Sequence, residues 1–112
     1  RSGEYEDAIA ELESFNSAGE MLGAVALGAI GDAYMETDDI DEALSYYEKA
    51  SVASENEFST PVYLQKAGFA AEMAGKFDKA IDYYTQVKEN YPTTNEGRNA
   101  DKYIARAEAN LD

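Results

Sequence analysis

The sequence lacks cysteine, histidine and tryptophan altogether and contains only two prolines. Without cysteine and histidine the chain can form no disulfide, thiol nucleophile, zinc finger or Ser-His-Asp triad. Basic residues are also scarce, since 9 Lys and Arg stand against 23 Asp and Glu, which gives a formal net charge of −14. Nucleic acids and anionic lipid surfaces select clustered Lys and Arg. The composition therefore argues against both partners, and we expect the charge mainly to keep a folded protein soluble.

Long hydrophobic runs are missing as well. The longest apolar stretch, residues 21–31, is well short of the ~20 residues that a membrane-spanning helix needs. We therefore expect no direct membrane insertion by this chain. The sequence begins with Arg1 instead of Met, and we expect natural upstream segments before it.

Three segments share one pattern, in which a turn residue and a large apolar residue precede an alanine. They read GEYEDAI at 3–9, DDIDEAL at 38–44 and GKFDKAI at 75–81. The alanines at 8, 43 and 80 are therefore spaced by 35 and 37 residues. This spacing predicts a repeated helix-turn-helix unit of about 34 residues with small insertions.

Two further segments precede the second and third copies at a constant distance. They read LGAIGDAY at 27–34 and LQKAGFAA at 64–71, and each begins 16 residues before its alanine. The fourth residue after that alanine is a tyrosine in both units, and a proline at 92 follows the second unit. The glycines at 31 and 68 predict close helix approach, and the tyrosines at 47 and 84 predict filling of the space between helices.

The order W-x2-L-G-x2-Y, A-x3-F and then P is typical of tetratricopeptide repeats, and residues 3–92 resemble that family. The resemblance implies an all-α fold, a right-handed solenoid of antiparallel helix pairs with about six helices and one concave side. It also implies a protein-binding scaffold without enzymatic activity. We therefore predict no catalytic residue, no metal site and no cofactor.

We predict a single domain over residues 1–112, with helices at 3–15, 20–36, 40–53, 61–74, 77–90 and 95–110. The first helix is interpreted as the second helix of a truncated repeat, and the last as a C-terminal capping helix. The two repeats between them are predicted at 20–53 and 61–92.

Several residues are predicted to mark the ends of helices. Asp39 and Glu42 are predicted to form a capping box, and Thr60 is predicted to cap a helix whose first residue is Pro61. Gly75 and Pro92 are predicted stops.

The N-terminal helix has no preceding partner helix in this sequence. We therefore expect part of the apolar surface around Tyr5, Ile9 and Leu12 to be exposed or covered by a neighbouring molecule. Self-association through this helix follows as one expectation.

Two other groups of residues could suggest ligand binding. The spacing of Gly23, Gly28 and Gly31 fits no phosphate-binding loop, and packing within a helix explains these glycines. The acids within residues 38–42 lack the central glycine and the spacing of a calcium loop. No feature marks a pocket that would shift carboxyl pKa values for acid-base catalysis.

The remaining candidate is the concave face, which in this family is built mainly from the first helix of each pair. The register predicts a partner-binding surface at Asp32, Met35, Gln65, Phe69, Glu72, Met73 and Tyr103. Methionine, aromatic and amide side chains suit adaptable contact with an extended peptide or a helix. It is equally open that these residues contact one another or upstream repeats.

Two narrower resemblances bear on function. A subclass of the family holds the C-terminal carboxylate of chaperones in a cage of Lys, Asn and Arg, but the matching positions here offer Gly28, Asp32 and Lys66. That function is therefore not carried over. A second resemblance is to the C-terminal part of bacterial membrane-anchored, ancillary-translocon-like repeat proteins, and it lies in residues 28–34, 56–61 and 102–108. It leaves the localisation open between the cell envelope and the cytoplasm.

Three interpretations of function remain. The leading one is a scaffold that binds a peptide or helix of a partner protein. The alternative is a structural or assembly module, which associates with itself or packs on upstream repeats of a longer envelope protein. The third is an accessory region of an enzyme whose catalytic part lies elsewhere in a longer chain.

Overall fold

The computed structural model describes residues 2–17 and 23–111, apart from the side chains of residues 2, 12 and 14–17. All regular structure in these ranges is helical, which confirms the all-α prediction. The helices are α1 (Ser2–Ser17), α2 (Ala24–Glu36), α3 (Ile40–Ala53), α4 (Thr60–Met73), α5 (Phe77–Asn90) and α6 (Asn95–Glu108). Each helix packs against the next one along the chain, and α4 also contacts α6. The pairs α2–α3 and α4–α5 are the two helix-turn-helix units.

The predicted helix ends differ from the observed ends mainly at α2. Gly23 is extended, with φ −78° and ψ 174°, and it precedes the first helical residue, Ala24. The predicted start at residue 20 falls in a range that lies outside the described residues. The other ends agree to within two residues, which is ordinary variation for helix termini.

In each helix pair, a tyrosine ring of the second helix packs directly on a glycine of the first helix, and this contact sets the distance between the two helices. A Cβ atom added at Gly31 would lie under 3.0 Å from the Tyr47 ring, and one added at Gly68 would lie under 3.0 Å from the Tyr84 ring. Both rings are almost completely buried. Glycine is therefore required at these positions because any side chain would occupy the space of the ring.

The two turns within the pairs share one backbone feature. Asp38 has φ 64° and Gly75 has φ 78°, so both occupy the left-handed region at equivalent places. Gly75 follows α4 and confirms the predicted stop there. Aspartate tolerates this conformation better than most residues do, because its short polar side chain can bond locally.

The predicted capping box at Asp39 and Glu42 is wrong. Asp39 does occupy the N-cap position of α3, but it makes no side-chain cap bond. Its Oδ2 instead accepts a hydrogen bond of 2.7 Å from the Thr37 hydroxyl. The tight turn brings the threonine closer than the backbone amides of α3, and the carboxylate bonds within the turn.

The predicted cap at Thr60 is also wrong, because Thr60 is itself the first residue of α4 and Ser59 precedes it as N-cap. The connection is ordered by Asn56, whose Oδ1 accepts the backbone N–H groups of Phe58 and Ser59, each at 2.8 Å. This side-chain turn satisfies two backbone amides that precede α4 and orders the connection into the helix.

The apolar surface of α1 is partly covered within the chain. Ile9 is only 6% exposed and packs with Ile30 and Ala33 of α2, so the expected exposure is wrong for this residue. Tyr5 is half-buried, and Ala8 is exposed. The Leu12 side chain lies outside the described part of the structure.

We predict that Gly68→Ala lowers the free energy of unfolding by about 1–3 kcal/mol, because the new methyl group must displace the buried Tyr84 ring. Gly3→Ala in α1 is the matched control, since an added Cβ there meets no atom within 4 Å. The control is expected to be neutral or stabilising by up to about 1 kcal/mol, because alanine has the higher helix propensity. Urea unfolding measures both, and equal effects would contradict the prediction.

Candidate functional site

Two adjoining grooves open on the face formed by the first helices of the pairs. The N-terminal groove has a volume of about 620 Å³ and is lined by Tyr5, Ala8, Ala29, Asp32, Ala33, Met35, Glu36, Tyr47, Lys66 and Phe69. The C-terminal groove has a volume of about 440 Å³ and is lined by Phe69, Glu72, Met73, Phe77, Tyr103 and Arg106. Phe69 of α4 belongs to both and forms the boundary between them.

The structure places most of the predicted site residues in these grooves. The N-terminal groove contains Asp32, Met35 and Phe69, and the C-terminal groove contains Phe69, Glu72, Met73 and Tyr103. Gln65 is half-buried on α4 and lines neither groove.

Sequence reasoning missed the contributions of the neighbouring helices. Tyr5 and Ala8 of α1 form one wall of the N-terminal groove, and Phe77 of α5 reaches the C-terminal groove. The sequence register places all of the predicted binding residues on α2, α4 and α6. The signal that could have found Ala8 is its alignment with Ala43 and Ala80 in the repeat pattern.

An aromatic cluster forms the floor of the C-terminal groove. The Phe69 ring meets the Tyr103 ring edge-on, with centroids 5.0 Å apart, and the Tyr84 ring lies 5.6 Å from Tyr103. The Arg106 guanidinium lies over both Phe69 and Tyr103, at 5.6 and 4.9 Å from their centroids. Edge-on rings and a cation over aromatic faces are favourable arrangements, so the floor is well ordered. Met73 beside it is 61% exposed.

Glu72 of α4 connects the aromatic cluster to α5 and α6 through side-chain hydrogen bonds. Arg106 donates from Nη2 to Oε1 at 2.6 Å and from Nε to Oε2 at 3.0 Å, and the Tyr84 hydroxyl donates to Oε1 at 2.5 Å. Burial acts to raise the pKa of the Glu72 carboxyl, but the hydrogen bonds from Arg106 and Tyr84 outweigh it and lower that pKa. Glu72 is therefore an ionised, fully engaged anchor for the groove.

Asp32 has corresponding partners in the N-terminal groove, although its side chain is 52% exposed and that of Glu72 is 11% exposed. The Tyr47 hydroxyl donates to its Oδ1 at 2.5 Å, and Lys66 Nζ lies 2.9 Å from the same oxygen. Lys66 follows Asp32 by 34 residues, and Arg106 follows Glu72 by 34 as well. In both grooves, therefore, a carboxylate on the first helix of a pair accepts a hydrogen bond from a tyrosine on the second helix of that pair. It also pairs with a base on a later helix, which is α4 for Asp32 and α6 for Glu72.

The described residues offer apolar groove surface. No group of three acids within them could hold a metal ion. The carboxylates of Asp32 and Glu72 bond to bases and tyrosines. Among the helices described, none is long and apolar enough to cross a membrane. The arrangement is suited to contact with apolar side chains of another polypeptide.

We predict that Glu72→Gln removes a pH-dependent part of the stability. Because the folded-state pKa of Glu72 is lowered from about 4.5, its contribution is complete above that value and is lost as the pH falls through the folded-state pKa. The substitution is expected to lower the free energy of unfolding by about 1–2 kcal/mol near neutral pH, a range kept small because Arg106 is exposed, and this loss is expected to shrink as the pH falls below about 4.5. Glu55→Gln in the exposed α3–α4 connection is the control. A constant difference across the pH range would contradict the prediction.

Comparison with known proteins agrees with the repeat architecture. A family model described as tetratricopeptide repeat matches residues 23–93, which is more than half of the chain and contains both helix pairs. A search of curated proteins finds no match to the chain. The helix pairs, the glycine–tyrosine contacts and this match agree, and the chain belongs to the tetratricopeptide-repeat family.

Proposed function

We propose that the chain is a non-catalytic scaffold that binds a peptide or a helix of a partner protein on the face of α2, α4 and α6. Proteins of this family generally mediate protein–protein interaction. The observation that carries the proposal is the pair of adjoining grooves that share Phe69 and are lined largely by apolar side chains. Solenoid proteins use such continuous faces to bind extended ligands.

The composition of the C-terminal groove supports this role. Met73 is exposed beside the rings of Phe69 and Tyr103, with Arg106 stacked above them. Aromatic residues, Met and Arg are the types that concentrate binding energy in protein interfaces. Because Arg106 and Glu72 already bond to each other, a ligand can cover them without leaving a buried charge unpaired.

A second function, assembly through α1, is supported by a separate observation. Ala8 is exposed and Tyr5 is only half-buried, so this end of the array presents unpaired apolar surface. Self-association, or packing on upstream repeats, would cover it. Light scattering over a range of protein concentrations separates this function from ligand binding, since a stable dimer that occupies the grooves would exclude a peptide.

The binding proposal predicts that a peptide selected from a random library on the folded chain depends on the C-terminal groove. The double variant Phe69→Ala/Met73→Ala is expected to weaken binding at least about tenfold, because it removes the apolar side chains that α4 contributes to this groove. The matched control is Phe58→Ala/Val52→Ala, which truncates side chains that are 82% and 67% exposed and line neither groove. Titration calorimetry measures all three proteins.

Phe69 also contacts buried tyrosines, so loss of folding must be separated from loss of contact. Circular dichroism checks the fold of each variant, and Met73→Ala alone gives a test at an exposed side chain. Unchanged affinity in both groove variants, or equal loss in the control, would show that the grooves are not the binding surface.

A further inference from the structure

The C-terminal groove lies between α4 and α6, two helices that contact each other. Phe69 and Met73 come from α4, Phe77 comes from the start of α5, and Tyr103 and Arg106 come from α6. Helix α5 packs on both of the other helices. The walls of the groove are therefore set by contacts within the described part of the chain.

One side chain dominates the electrostatic character of this groove. Among the described residues, the charged ones that line it are Glu72 and Arg106. The Glu72 side chain is 11% exposed and accepts hydrogen bonds from Arg106 and Tyr84, whereas the Arg106 side chain is 51% exposed. A segment that enters the groove therefore meets the cation of this pair and little of the anion.

Arg106 also has hydrogen-bond donors beyond those that hold Glu72. Its Nε and Nη2 donate to Glu72, and no described residue accepts a hydrogen bond from Nη1. The guanidinium lies 4.9 Å from the Tyr103 ring centroid and 5.6 Å from the Phe69 centroid, so these donors stand beside the aromatic floor. A carboxylate forms shorter and stronger hydrogen bonds with such a cation than a neutral carbonyl does.

The net charge of −14 does not exclude an acidic ligand from this groove. Exposed charges that are separated by more than about 8 Å are largely screened at physiological salt. Closer to the groove there is a second cation, because Lys102 Nζ lies 5.0 Å from the Tyr103 centroid. The local charge therefore favours a carboxylate, although the overall charge does not.

The size of the groove favours an extended segment over a helix. Its volume is about 440 Å³. One turn of an α-helix, about 10–12 Å across and about 5.4 Å long, would fill roughly all of that volume. In an extended segment, alternate side chains share a face and lie about 6.6–6.8 Å apart. One side chain can therefore lie against the rings while the next one on the same face reaches Arg106.

A second copy of the chain does not supply this pattern. The described residues with large, exposed hydrophobic side chains are Val25, Val52, Phe58, Met73 and Leu111. The positions two residues away from each of them hold no Asp or Glu in this sequence. Two copies that each carry a charge of −14 also repel each other at long range. The occupant is therefore sought in another protein.

We propose that the C-terminal groove binds an extended segment of a partner protein that carries a large apolar side chain and, two residues away, an aspartate or glutamate. The apolar side chain lies against Met73, Phe77 and the aromatic rings, and the carboxylate accepts from Arg106 Nη1. Because the two grooves adjoin at Phe69, the carboxylate is assigned to a side chain of a continuing segment. This inference rests on the proposed scaffold function and names the partner chemistry for one groove.

The probe is a library of short random peptides, displayed with their C-termini fused to a carrier so that none has a free terminal carboxylate. Peptides selected on the wild-type chain are expected to be enriched in Asp or Glu two residues from a large apolar residue. The strongest binder is then synthesised with an amidated C-terminus, beside a neutral copy in which Asn or Gln replaces that acid. Fluorescence anisotropy is expected to show at least about fivefold weaker binding of the neutral copy.

Two variants of the chain locate the carboxylate. Arg106→Lys keeps the charge, but one ammonium group cannot hold both oxygens of Glu72 and a ligand carboxylate in the same geometry. The preference for the acidic peptide over its neutral copy is expected to fall below about twofold. Arg98→Lys is the matched control, because Arg98 is an exposed residue of α6 that bonds Thr93 and Asn95 and lines neither groove. The control is expected to keep the full preference.

This comparison separates recognition from support of the fold. If Arg106 only shaped the groove, its substitution would weaken both peptides by the same factor and leave their ratio unchanged. The inference would be overturned by that result, by a lack of acids among the selected peptides, or by an equal loss of preference in both lysine variants.

Other occupants give different results, and each of these would also overturn the inference. Self-association of the chain that Met73→Ala abolishes would assign the groove to a second copy. A neutral copy that regains the full affinity when its C-terminus is left free would assign the Arg106 donors to a chain end. Selected peptides that depend on Phe69 and Met73 but show no preference for an acid would overturn this inference alone. A library that yields no binder would contradict the scaffold function as well.

Discussion

In both complete helix pairs, a tyrosine ring of the second helix packs on a glycine of the first helix. The geometry of each pair and of the groove beside it follows from this contact. Tyr47 lies on Gly31 and Tyr84 lies on Gly68, and both rings are almost completely buried. The contact fixes how closely the helices of a pair approach. It also extends to the binding face, because the hydroxyl groups of the same tyrosines bond Asp32 and Glu72 in the two grooves. Packing and site geometry are therefore set by the same residues.

Electrostatic pairing then connects one repeat to the next. Asp32 and Glu72 each meet a base 34 residues later, Lys66 and Arg106 respectively. The chain has a net charge of −14, and two of its few basic residues pair with acids across α2 and α4 and across α4 and α6. Such partly exposed ion pairs contribute modestly to stability, but they help to fix the relative positions of neighbouring helices and give Asp32 and Glu72 a cationic partner each.

The two ends of the array differ in a way that matters for binding. Helix α6 leaves Arg98, Asp101 and Lys102 exposed, so this helix presents a charged, hydrated face; its role as a capping helix stays a prediction. At the other end, α1 leaves Ala8 exposed beside a groove. The polar end resists further stacking, whereas the N-terminal end retains apolar surface that a further helix can cover.

The sequence predicts the helices, their register and the small residues at which two helices approach closely. These follow from local periodicity, from stop signals such as Gly75, and from a repeat spacing that needs no knowledge of three-dimensional contacts. The partners of the polar groups and the burial of α1 depend on the tertiary structure. Asp39 accepts a hydrogen bond from Thr37 instead of capping a helix, and Arg106 pairs with Glu72. Ile9 is buried against α2, whereas Ala8 is exposed. The physical reason is that periodicity fixes which side of a helix a residue occupies. The partner it meets depends on how successive pairs stack, a relation between segments distant along the chain.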